Sequence, residues 1–323
     1  MFDVTVLAKA VLVGAVVAAT VMRLVAWLLR RGSVYMPQRD GIYMSRSDSA
    51  RWSWAIGAGV LAASGATDQW PHWPALEDRA RFLTLLVPLT ILVETLAVVV
   101  SSTRMAWLMR IALAAIVAPI LLHNTVYLAV LQGRTSAEWT PLEATMILCG
   151  LAAMLILIWV ALSMLEARTS TLTVYGVLIL DAFATAITVM LSGYFLGGLL
   201  GLGLAGAMTG AALSAYVNAP RSLTRGSLGI AVIGNFSIVL IGRFFGTLST
   251  ALAVCLLVAP LFAWMVELPR LNAFAPGWRA VQRLACVGIP LIVAVVIAGR
   301  QFVVASAAHS RPSKPNAVRD VAK

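Results

Sequence analysis

The sequence predicts an all-α, polytopic transmembrane helix bundle of about ten spans, and three observations carry that prediction. Of the 323 residues, 61% are hydrophobic and only 11% are charged, where the surface of a soluble domain needs roughly 25% charged residues to be wetted. Apolar residues recur in runs near the length of a helix that crosses a bilayer, and mean hydropathy is +0.92. The polar segments between the runs are short, so no loop can house an independent catalytic domain. Residues 1–304 read as one transmembrane domain, and residues 305–323, rich in Pro, Ser and charge, as a disordered polar tail.

Taken in order, the spans fall near residues 5–29, 52–67, 82–102, 105–131, 142–165, 170–193, 196–217, 227–246, 247–267 and 281–304. The start lacks a basic region and its apolar run is too long for a signal peptide, so the first run reads as a retained helix. The second is short and ends in a Trp-Pro cluster around Trp70 and Trp73. If residues 52–67 do not cross, the count is nine. The sixth and seventh share one apolar stretch with no charged turn, and only Arg243 to Thr247 separates the eighth from the ninth. Pro88, Pro119, Pro260 and Pro290 lie inside spans, where they should kink helices and free backbone carbonyls.

The formal net charge of +11 resides in short loops, where basic residues set topology and meet lipid headgroups rather than nucleic acid. With ten spans, one face gathers Arg30, Arg31, Arg39, Arg46, Arg51, Arg104, Arg168, Arg221, Arg225, Arg270 and Arg279. The other holds Arg79, Arg81, Arg134 and Arg243. The first face is therefore expected to be cytoplasmic, although the basic tail from Arg311 to Lys323 then falls outside. The Arg and Ala bias points to a GC-rich bacterial genome and so to a bacterial inner membrane. Cys149, Cys255 and Cys286 sit in apolar runs without a CxxC spacing and read as packing residues. No His, Cys and carboxylate cluster has metal spacing, and no cofactor motif is present.

Ionisable residues at bilayer depth cost about 2.5 kcal/mol or more each, so each asks for a partner or a role. Glu94 in the third span and Arg110 in the fourth follow one tight turn, which predicts an ion pair between neighbouring helices. Asp181 lies near the midplane of the sixth span with no basic residue close in sequence. Its partner must come from another helix, with Asn235 in the eighth span and His123 in the fourth as candidates. Gly201-Leu202-Gly203-Leu204-Ala205-Gly206 matches G-x-G-x-x-G, but that dinucleotide motif requires a βαβ unit that cannot form here. Gly193, Gly197 and Gly201 recur every four residues, as do Gly206, Gly210 and Ser214. This spacing predicts a face for close helix packing, within the bundle or toward a membrane partner or second copy.

Nucleotide-pump, serine-hydrolase, zinc-protease and kinase signatures are all missing. The sequence reads first as a non-enzymatic subunit or scaffold of a membrane assembly, embedded in lipid and docking through the glycine face. The alternative is a secondary transporter or channel with a midplane site around Asp181 and Glu94. An intramembrane lipid-acting enzyme using Glu94, His123 and Asp181 is the weakest reading, because those residues fall at different depths.

Overall fold

A computed structural model of the chain describes residues 3–32, 42–70, 73–100, 102–132, 138–218, 228–268 and 276–309. Ten helical rods and no strand occur among them. They are α1 (Val4–Gly32), α2 (Ile42–Ala66), α3 (Asp78–Val99), α4 (Thr103–Leu121), α5 (Pro141–Arg168), α6 (Thr171–Leu191), α7 (Phe195–Asn218), α8 (Gly229–Phe244), α9 (Thr250–Glu267) and α10 (Pro276–His309). Eight are long and apolar enough to cross a membrane; α8 is shorter, and α2 opens on a polar half. The protein is a multi-pass helical membrane protein. Much of the tail, residues 310–323, lies outside the described residues, while residues 305–309 continue α10.

Side-chain caps set many of the boundaries. Ser102, Thr140, Ser170 and Ser249 each accept a hydrogen bond from the backbone N–H three residues on, opening α4, α5, α6 and α9. At Thr140 the box is complete, because Glu143 reaches back to the Thr140 N–H at 2.8 Å. Inside α3, a π-helical turn spans Phe82–Leu86 just ahead of Pro88. In α9 the α-helix ends at Val258, and Ala259–Glu267 continues as a 3-10 helix with Pro260 in its first turn.

The fourth span is shorter than the sequence suggests. α4 stops at Leu121, two residues past Pro119, and Asn124 takes a left-handed φ of 58° in the turn that follows. His123 therefore lies in an exposed turn at the end of the bundle, not within a membrane helix.

The question of nine or ten rods is answered by direction. Gly14 of α1 sits against Ala63 of α2, and Gly59 of α2 against Ala18, so these two helices run antiparallel. Val11, Ala15 and Ala19 of α1 face Gly206, Gly210 and Ser214 of α7 in the same order, so α1 and α7 run parallel. The parallel first and seventh rods fit a chain in which successive rods alternate in direction with α2 as one of them. α2 is moreover an interior helix: Trp52, Ala55, Ile56 and Val60 are buried against α1, α3, α7 and α8.

The core is centred on α8, whose residues from Gly229 to Gly242 are all buried. α1, α5 and α10 form the periphery and present Leu12, Val16, Leu157, Ile289 and Ile292 outward, as lipid-facing helices do. We call the end with Arg104, Arg168 and Arg279 the arginine-rich end; the far end holds the Asp78, Ser192 and Thr247 junctions.

Candidate functional site

At the far end, Arg81 turns inward rather than marking an outer loop. Its Nη1 donates to the carbonyl oxygens of Leu121, at 3.0 Å, and of His123, capping the C-terminus of α4. Its Nε and Nη2 reach the Ala75 and Leu76 carbonyls, tying α3 to the chain that leads into it. Nearby, the Tyr194 hydroxyl donates to both carboxylate oxygens of Asp78 at 3.0 and 2.8 Å. Burial and the Asp78 carboxylate hold this phenol well above its usual range.

Toward the arginine-rich end, Glu94 and Arg110 form a two-pronged pair: Nε to Oε1 at 2.9 Å and Nη2 to Oε2 at 2.8 Å. Glu94 is fully buried, and the guanidinium carbon lies 5.4 Å from the Trp107 ring centroid and 5.8 Å from that of Trp159. The carboxylate rests against Gly229, the first residue of α8, where any Cβ would crowd it. A helix N-terminus favours an anion there. Both charges and the carboxylate's two oxygens are thus matched, and the arrangement is that of a lock between α3, α4 and α8.

Asp181 is different. It is the middle residue of α6 and only 1% exposed. Asn235 Nδ2 donates to its Oδ2 at 2.5 Å, joining α6 to α8. Among the described residues its Oδ1 has no partner, and neither has the Asn235 Oδ1. Both residues line a small cavity of about 10 Å³, with Leu155, Leu162, Leu178, Val232, Leu257 and Pro260 among its walls. That volume admits about one water molecule. Thr185 Oγ1, one turn along α6, and Ser237 Oγ are also buried and unpartnered among the described residues.

The sequence singled out Asp181 and Asn235 but missed what surrounds them. Pro260 suggests a kink, and the structure sets the change from α to 3-10 helix at the level of Asp181, where it forms one wall of the cavity. The hydroxyl of Thr185 had a usable signal, since it follows Asp181 by four residues on one helical face. His123 is not part of this group; it stands in the exposed turn after α4. Nor does Glu94 join it, being held by Arg110 nearer the arginine-rich end.

The glycine face is not one surface. Gly193 lies outside any helix, in the α6–α7 turn with φ +85°, and nothing approaches the position of its missing Cβ. Gly197 packs on Tyr194 and on Ile241 of α8, and Gly201 packs on Ala186 of α6. Gly206 and Gly210 meet the α1 backbone at Val11 and Ala15, while Ser214 Oγ donates to the Ala19 carbonyl at 3.3 Å. α7 is central and must fit several neighbours at once, so its small residues split between them. Apart from Gly193, these positions pack against the protein's own helices or turns, the within-bundle use of the spacing.

Among the described residues no cluster of His, Cys, Asp and Glu could hold a metal ion. Comparison of the chain with protein-family models, with curated proteins and with solved structures gave no match.

Proposed function

We propose that the protein is a membrane transport protein of the secondary-transporter or channel type, with Asp181 and Asn235 forming its midplane site. One observation carries this reading: two buried side-chain oxygens, Asp181 Oδ1 and Asn235 Oδ1, are left without partners among the described residues beside a small cavity at mid-depth. A buried polar group without a partner costs about 1–3 kcal/mol, and a fold that needed only helix adhesion would have no use for that cost. The helix change at Ala259 adds support, because transporter sites are commonly built where a helix is interrupted near the midplane. The chemistry offered is reversible binding at a carboxyl group, without covalent or redox steps.

The test is flux in proteoliposomes, followed with a pH-sensitive dye and with monovalent-cation indicators. Asp181→Asn should abolish flux while leaving expression unchanged and unfolding shifted only slightly. Wild-type flux in that variant would remove Asp181 from the function.

A subunit of a larger membrane assembly is the second reading, favoured by the small size of the cavity. Its docking surface would have to be a lipid-facing helix, since the glycine positions are filled from within. Purification in mild detergent, with mass spectrometry of stoichiometric companions, separates the two: a fixed companion supports assembly, and elution alone supports transport.

A further inference from the structure

We infer that protons reach Asp181 from the far end of the bundle, along a polar stripe on α6, and that the path toward the arginine-rich end is closed. The inference rests on the transport reading above and specifies its ion and the side from which it enters.

The stripe is a matter of helical register. Asp181, Thr185, Thr188 and Ser192 are spaced by four, three and four residues, which places all four on one face of α6. All four are buried. Thr188 and Ser192 donate to the carbonyls of Ala184 and Val189, leaving their hydroxyl oxygens able to accept. Thr185 Oγ1, between them and Asp181, has no hydrogen-bond partner among the described residues. The run covers about 16 Å at 1.5 Å per residue.

It ends in space. Ser192 lines a crevice of about 830 Å³ between the α6–α7 turn, the α8–α9 turn and α10, with Thr247, Gln301 and Ser306 also on its walls. The Ser192 carbonyl accepts from both the backbone N–H and the hydroxyl of Thr247, at 3.0 and 2.6 Å, which fixes the stripe's mouth to α8 and α9. Continued in the other direction, the same face of α6 carries Val174, Val177 and Leu178, all buried. Leu155 and Leu162 of α5 also line the cavity. The polar face is therefore one-sided beside Asp181: hydroxyls lead from it to the crevice, whereas Val177, Leu178 and Val174 stand between it and the buried Thr171 at the arginine-rich end.

The ion follows from the size and the donors. A bare divalent cation takes about six or more oxygens, whereas this cavity presents two free side-chain oxygens and room for one water. A proton needs only the carboxyl group and that water. Hydronium in the cavity gives its proton to a carboxylate oxygen of Asp181, leaving a water molecule and a carboxylic acid, and the reverse step returns it.

The experiment reads the carboxyl group itself. Infrared spectra of the full chain in lipid nanodiscs, transferred from H₂O to D₂O, give the exchange rate of the Asp181 band, assigned by its loss in Asp181→Asn. Thr185→Val and Thr188→Val keep the side-chain shape and remove the hydroxyls. Each should slow exchange about tenfold, as expected when a relay group is lost, while Ser237→Ala, off the stripe, should not. Exchange at the wild-type rate in both threonine variants would overturn the path. A band that shifts with Na⁺ or K⁺ at constant pH would overturn the proton as the ion.

The side of entry is read by labelling single cysteines at positions 188, 192 and 177 with a membrane-impermeant thiol reagent, in a background lacking Cys149, Cys255 and Cys286. Glu138→Cys marks the far end and Arg104→Cys the arginine-rich end. Ser192→Cys, on the wall of the crevice, should react from the Glu138 side, with the fully buried Thr188→Cys and Val177→Cys unreactive from the Arg104 side. Labelling of Val177→Cys from the Arg104 side would overturn one-sided entry. Failure of the two claims is distinguishable: wild-type flux in Asp181→Asn with slowed exchange in the threonine variants sinks transport alone. Lost flux with unslowed exchange sinks the path alone.

Discussion

Glu94 and Asp181 are the same chemical group in the same bundle, both buried, and the protein treats them in opposite ways. Glu94 has both oxygens bonded to one guanidinium, two indole rings around that cation, and a helix N-terminus against its carboxylate. Asp181 has one amide on one oxygen and a water-sized cavity at the other. A carboxylate that is fully matched has little reason to change state, and it can serve as a fastening. One that is half matched has somewhere to put a proton. On the transport proposal, that difference separates a structural charge from a working one.

The largest expected effect breaks the matched side. Arg110→Ala leaves Glu94 buried without its cation and should destabilise the bundle by about 3–5 kcal/mol, as removal of one partner of a buried pair does. Denaturant titration in detergent checks this. Glu94→Gln combined with Arg110→Met should recover most of the loss, because no unpaired charge then remains.

Arg81→Ala should come next, at about 3 kcal/mol, since four carbonyl oxygens lose a charged donor. Faster hydrogen exchange in the last turn of α4, and not in α6, would localise the damage. Gly210→Ala tests the glycine contact instead: a methyl group there overlaps the Ala15 carbonyl, and forcing α1 away should cost about 1–3 kcal/mol. An unchanged unfolding midpoint would mean that α1 does not sit on α7 as described.

The smallest stability effect belongs to the unmatched side. Asp181→Asn should shift unfolding by only about 0.6 kcal/mol, the typical worth of an interhelical hydrogen bond in a membrane, while removing flux. If Asp181→Asn proves as damaging as Arg110→Ala, the two carboxylates are alike and the comparison fails.

How far the sequence anticipated this depends on the range of the interaction. The helices were legible because apolar runs and Ser or Thr caps are local, and Glu94 with Arg110 was legible because a tight turn brings them together. The end of α4 at Leu121 was not, because an apolar run continues to Leu131 and only Pro119 and Asn124 mark the break. Asp181 announced itself by its cost. The space beside it did not, because Pro260 and Leu257 reach it from α9, far along the chain. The glycine spacing was visible too, but periodicity alone does not say whether a neighbouring helix belongs to the same chain or to another.

The parallel contact between α1 and α7 also has a consequence for biogenesis. During synthesis α1 enters the bilayer while α7 is still unmade, and its small-residue groove stays open until residues near Asn218 have left the ribosome. Association of helices that have already inserted is a separate, later stage, and a contact so distant in sequence closes late. A nascent chain arrested before α7 should therefore hold α1 by its α2 contact alone, with the Val11, Ala15 and Ala19 face uncovered. Completion of α7 is then the event that commits the first half of the protein to its final place.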